Sequence, residues 1–260
     1  MTYRIVPRGV APLSRVAGLF CALALVLGCK GGSGSLTPLP AGGHHVLFVG
    51  NSLTDANDLP GTLAALAASA GDTIRSSAVT AGDYALIDHL LAGRVQPVIA
   101  QGGWEYVILQ QGPSTVPVNR DSLVLWTKMY EPLVRAAGGR IALYMVWPDA
   151  TRAAFFDDCL HAYQAAAQGV NGVFLPAGQA WRTAWARDST LQLYGFDGYH
   201  PSPLGTYVAA LVMFERITGH DARALPAQAI VNGAALAVPA ASVRLIQQAA
   251  HDASQQYYTP

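Results

Sequence analysis

Short apolar runs alternate along this chain with longer amphipathic ones, and that alternation limits the fold more than any other feature. Residues 46–49, 73–79, 106–110, 141–146 and 173–175 read as strands, the first of them buried. Between and after them the spacing of apolar residues predicts helices. The first opens at Asp58-Leu59-Pro60, with Asp58 as N-cap and Pro60 in the first turn, and runs through Leu63, Leu66 and Ala67 to Gly71. The others cover residues 85–91, 123–137, 153–167, 203–217 and 239–254. Strands separated by helices pair in parallel, because parallel neighbours need a crossover connection. The expected fold class is α/β: a three-layer α/β/α sandwich around a parallel, roughly five-stranded sheet. Residues 219–239 show no readable period.

Two short blocks at opposite ends of this pattern carry chemistry. Gly50-Asn51-Ser52-Leu53-Thr54 follows the first strand directly, so Ser52 sits on a turn at the sheet edge, where ligands bind in open α/β folds. Asp197-Gly198-Tyr199-His200-Pro201-Ser202 precedes a helical run. An Asp three residues ahead of a His on one tight turn can orient the imidazole and balance its charge, which a weak hydroxyl nucleophile requires of its base. Of the histidines, only His200 has an Asp at this loop spacing and a Pro after it. The chain contains no Gly-x-Ser-x-Gly elbow, P-loop, Gly-x-Gly-x-x-Gly or His-Glu-x-x-His.

In this order the two blocks resemble those of the SGNH (GDSL-type) hydrolases, over about residues 46–219. The resemblance implies a flavodoxin-like sheet and a serine esterase needing neither cofactor nor metal. Ser52 is then the nucleophile, His200 the base and Asp197 its orienting carboxylate. It also implies an oxyanion hole built from the Ser52 N–H, the Gly82 N–H after the second strand, and an amide side chain after the third. There the family has Asn, whereas this chain has Ile108-Leu109-Gln110-Gln111-Gly112. Gln110 is the expected donor and Gln111 the second choice. Asn51 replaces the family's Asp at a position that supports the loop. The implied substrate is a small-molecule or glycan ester, with O-acetyl groups on carbohydrate preferred and a lipase or thioesterase activity left open. The alternative is a non-catalytic envelope binding protein on the same scaffold. Trp104, Trp147, Tyr84 and Tyr199 lie near strand ends or site loops, where they either stack on substrate or pack the core.

The net charge is zero and charged residues make up 12% of 260, about half the usual share, so no basic footprint for nucleic acid exists. Arg4, Arg8 and Arg15 precede an apolar run over residues 16–27 that ends at Gly28-Cys29. This looks like a bacterial lipoprotein signal over residues 1–28, cleaved so that Cys29 becomes the lipidated N-terminus. The Gly/Ser/Pro-rich residues 29–43 read as a flexible tether, and 44–260 as the hydrolase domain. Lys30, where an Asp would retain the protein at the inner membrane, resembles a signal for the periplasmic side of the outer membrane. Cys159 is then the one cysteine of the domain and is expected to be a buried, unreactive residue.

Overall fold

The computed structural model describes Leu39 and residues 41–258. The proposed leader, Cys29 and most of the tether lie outside the described residues. Five strands form one parallel sheet in the order β2-β1-β3-β4-β5, with β1 His44–Gly50, β2 Ile74–Thr80, β3 Tyr106–Leu109, β4 Arg140–Tyr144 and β5 Val173–Leu175. This is the expected three-layer α/β/α architecture. Strand order reverses direction at β1, which is where open α/β sheets leave a crevice at the carboxyl edge. Register levels that edge. Val49 pairs with Leu109 and Gly50 with Thr80, so the segments beginning at Asn51, Ala81 and Gln110 leave the sheet together.

The helices are α1 Ser52–Asp55, α2 Leu59–Ser69, α3 Leu86–Leu91, α4 Val95–Ala100, α5 Pro117–Ala136, α6 Phe156–Gln168, α7 Ala177–Arg187, α8 Pro203–Thr218 and α9 Ala240–Gln256. One layer packs α2, α7, α8 and α9 together; the other packs α3 and α4 on α5 and α5 on α6. Asp58 caps α2 as expected, its carboxylate accepting from Gly61 N–H at 3.0 Å. Helix α5 begins at Pro117 rather than at residue 123, and α4 and α7 were not anticipated. The unread stretch before α9 holds a 3₁₀ turn, Ala222–Ala224, and a small hairpin, β6 Ile230–Val231 with β7 Ala234–Ala235. Helix α8 is apolar nearly all round and buried along most of its length, which makes it the central helix of its layer.

Two contacts fix the segment before α8. Ser202 caps the helix, accepting from Gly205 N–H at 3.1 Å, and Gly205 lets Trp181 approach: a Cβ there would lie 2.4 Å from the indole ring. Trp181 in turn stacks on Trp147, with ring centroids 3.5 Å apart, and donates its indole N–H to Gly205 O.

Candidate active site

Asn51 follows β1 in extended backbone and caps α1, its side-chain oxygen accepting from Leu53 N–H at 3.1 Å. Ser52 is therefore the first helical residue, and its N–H has no partner within the helix. The hydroxyl faces a loop from the far end of the chain. A bridge between Tyr194 and Pro201 narrows that loop, and Gly198, at φ 69°, makes its turn. Asp197 Oδ1 accepts the N–H groups of Tyr199 and His200, each at 3.0 Å, which closes the turn. Its Oδ2 lies 2.6 Å from His200 Nδ1, and His200 Nε2 lies 2.8 Å from Ser52 Oγ. With a proton on Nδ1, the ring presents a bare Nε2 to the serine hydroxyl. The hydrogen bond to His200, with help from the Tyr199 N–H, pulls the Asp197 carboxyl down to about 2.

The loop is held in place from two sides. Trp147 donates its indole N–H to Tyr199 O at 3.0 Å. Asn57, in the left-handed region at φ 56°, donates its amide to Pro201 O and to Thr206 Oγ1, tying the segment after the nucleophile to the segment around the base.

The expectation for Gln110 is corrected by its surroundings. Gln110 is 1% exposed and turns under the nucleophile loop. Its Oε1 accepts from Asn51 N–H at 2.9 Å and Thr54 Oγ1 at 2.7 Å, and its Nε2 donates to Asn51 Oδ1 at 3.0 Å and Gln111 O at 2.6 Å. Both amide protons and both lone pairs are committed, so Gln110 has no donor left for an oxyanion. Gln111, on the other face of the segment, lines the cavity beside Ser52. One of its amide protons goes to Ser114 Oγ at 3.0 Å, leaving the second for a ligand. Tyr163, fully buried, donates to Gln111 O at 2.6 Å and holds this backbone.

Asn51 shows why an amide suits its position. While Oδ1 accepts from Leu53 and Gln110, Nδ2 donates to Tyr84 O at 3.1 Å, a bond no carboxylate could make. This ties the loop after β2 to the nucleophile loop. Gly82 lies on that loop, and among the described residues its N–H has no acceptor; the adjacent Asp83 and Tyr84 wall the cavity. His89 supports the strand end from below, Nε2 lying 2.9 Å from Gly50 O, and burial lowers its pKa.

The aromatic residues divide. Tyr84 and Tyr199 line the cavity, whereas Trp104 and Trp147 are buried and structural. Trp126, which the sequence did not single out, lines the cavity as well. Cys159 is fully buried, donating toward Val146 O, and burial pushes its thiol far up, as an inert cysteine requires. Away from this cavity, Glu215, Asp221 and His251 bring ligand atoms within 4.8 Å of one another. Gln255, the Ala222 N–H and Arg223 already bond these two carboxylates.

No protein-family model matches the chain, and no curated protein does. Solved structures do. A DUF4886 family protein from Bacteroides uniformis superposes with a TM-score of 0.70 at 19% identity, over 82% of this chain and 95% of its own. A candidate SGNH hydrolase from Slackia heliotrinireducens is 27% identical, with a TM-score of 0.56 over 67% of this chain and 98% of its own. Axe2, an acetylxylan esterase from Geobacillus stearothermophilus, gives 0.50 at 19% identity, over 68% and 95%. The chain thus has the fold of the SGNH hydrolases, and the resemblance carried by its two sequence blocks extends through the whole sheet.

Proposed function

We propose that this chain is a serine esterase. The observation that carries the reading is the line from Asp197 through His200 to Ser52, with contacts of 2.6 and 2.8 Å, at the mouth of a cavity. Ser52 Oγ attacks the ester carbonyl carbon while its proton passes to His200 Nε2. Asp197 holds the imidazolium through Nδ1–H. The oxyanion receives the N–H groups of Ser52 and Gly82 and the remaining amide proton of Gln111. His200 then protonates the leaving alkoxide, and an acyl group stays on Ser52. Water, deprotonated by His200, attacks that acyl carbon and releases the acid. An O-acetyl group on a carbohydrate is the proposed substrate class, a reading the name of the Geobacillus relative supports without carrying. Lipidation at Cys29 would hold the enzyme in the cell envelope.

A fluorophosphonate probe tests the mechanism. Wild-type protein should be labelled at Ser52, and Ser52→Ala and His200→Ala should not. An unlabelled wild type would favour the alternative, a binding protein on the same scaffold, for which the occupied Gln110 amide is the one supporting feature.

A further inference from the structure

We propose that Asp83, Asn119 and Trp126 form the subsite for the alcohol half of the substrate, and that it takes an uncharged, hydroxyl-rich ring. The proposal rests on the esterase reading and names what that site accepts.

The cavity beside Ser52 has a volume of about 270 Å³. Its polar wall carries Asp83, Gln111, Ser114, Asn119 and Ser122, and its aromatic wall Tyr84, Trp126 and Tyr199. No Leu, Ile, Val, Met or Phe lines it; its aliphatic side chains are the short Ala85 and Pro113, so it offers little aliphatic surface to a long acyl chain, whose burial would strip water from polar groups. A ring with apolar C–H faces and hydroxyl edges suits both walls.

Trp126 is set apart by its hydrogen bonding. The other four tryptophans donate their indole N–H to backbone carbonyls: Trp104 to Val98, Trp147 to Tyr199, Trp181 to Gly205 and Trp185 to Leu191. Among the described residues Trp126 has no acceptor, and its indole stands half-buried in the cavity wall. Asn119, Ser122 and Trp126 fall at i, i+3 and i+7 of α5, so one helix face presents an amide, a hydroxyl and an indole together. Across from them, Asp83 is held at φ 60°, a conformation that costs a non-glycine residue energy. No Arg or Lys lines the cavity around its carboxylate. That charge favours hydroxyl donors and opposes anionic groups.

The test measures kcat/KM on p-nitrophenyl acetate, p-nitrophenyl octanoate, monoacetylated methyl xyloside and methyl glucoside, and O-acetylated galacturonate. Trp126→Ala should lower the ratio of sugar-acetate to p-nitrophenyl acetate efficiency at least tenfold, mainly through KM. Asp83→Asn should narrow the preference for neutral over acidic sugar at least fivefold. An unchanged ratio in both variants, or octanoate preferred to acetate, would overturn the subsite. A second arm reads binding without catalysis, by intrinsic fluorescence of Ser52→Ala protein titrated with xylobiose and methyl glucoside. A saturable change lost in Ser52→Ala/Trp126→Phe supports the subsite even if no ester is hydrolysed, an outcome that would sink the esterase reading alone. No fluorescence change up to 50 mM sugar overturns the subsite even if Ser52 proves catalytic.

Discussion

Gln110→Ala should damage stability far more than it damages the chemical step. The side chain makes four hydrogen bonds; removing it leaves the Asn51 N–H and the Thr54 hydroxyl without a partner, and takes one of two partners from Asn51 Oδ1 and from Gln111 O, which keep Leu53 N–H and Tyr163 OH. At about 1 kcal/mol of net contribution each, the sum is about 4 kcal/mol. Water entering the space left behind, and rotation of the Thr54 hydroxyl, would recover part of it, so a loss of about 2–4 kcal/mol is expected. For a domain of this size each 1 kcal/mol lowers Tm by about 2–4 °C, which places the variant roughly 10 °C below wild type. Thermal unfolding followed by circular dichroism, with Gln111→Ala as comparison, measures this directly. Ester turnover should be assayed well below the lowered Tm, where the folded fraction is still high. A Tm within about 2 °C of wild type together with a turnover loss of roughly 10²-fold would refute the reasoning, because that pattern belongs to an oxyanion donor.

Four further outcomes are expected. Ser52→Ala and His200→Ala should each abolish hydrolysis, the double variant should be barely worse than either, and wild-type activity should survive EDTA. Gln111→Ala should lower kcat by about 10²-fold with little change in KM, measured on p-nitrophenyl acetate. The Asp197 carboxyl is held at about 2, below its ordinary 3.8, so its stabilisation of the loop is complete above that ordinary value and fades as pH falls toward 2. The Tm difference between wild type and Asp197→Asn should follow that course. Finally, intact mass of the membrane fraction should show a mature chain beginning at a diacylated Cys29; an unmodified Cys29 inside a longer chain would defeat the lipoprotein proposal and leave the catalytic one standing.

Strands β1, β3, β4 and β5 could be read from the sequence because each is a short, mostly apolar run bounded by turns, as buried parallel strands are; the edge strand β2 is largely exposed and carries Arg75, Ser76 and Ser77, so it fits that pattern least. The same property hid the difference between Gln110 and Gln111. In a strand covered on both sides, alternation says that neighbours face opposite layers but not which layer holds the site. Helix α5 was read too short because its first six residues, Pro117 to Ser122, carry no apolar period, and Asn119 and Ser122 were missed with them. Helix α7 does carry one, in Ala177, Ala180, Trp181 and Ala184, but alanine makes a faint hydrophobic signal. Helix α4 has Pro97 in its first turn, which reads as a break. Ser52, Asp197 and His200 were legible because their constraint is local: a serine at a strand end, and an Asp and a His on one turn.

The two halves of that machinery meet across 148 residues of chain, and this has a kinetic consequence. Helices form from neighbours in sequence, whereas the Ser52–His200 contact and the staples from Asn57 to Pro201 and Thr206 wait until the segment leading into α8 docks on the edge of β1. Closing so long a loop carries an entropic cost that must be met before the contact stabilises anything, and non-local pairings of this kind form late. During refolding from denaturant, far-ultraviolet dichroism should therefore return ahead of fluorophosphonate reactivity. The time between the two signals would report the docking of the final layer on an already formed sheet.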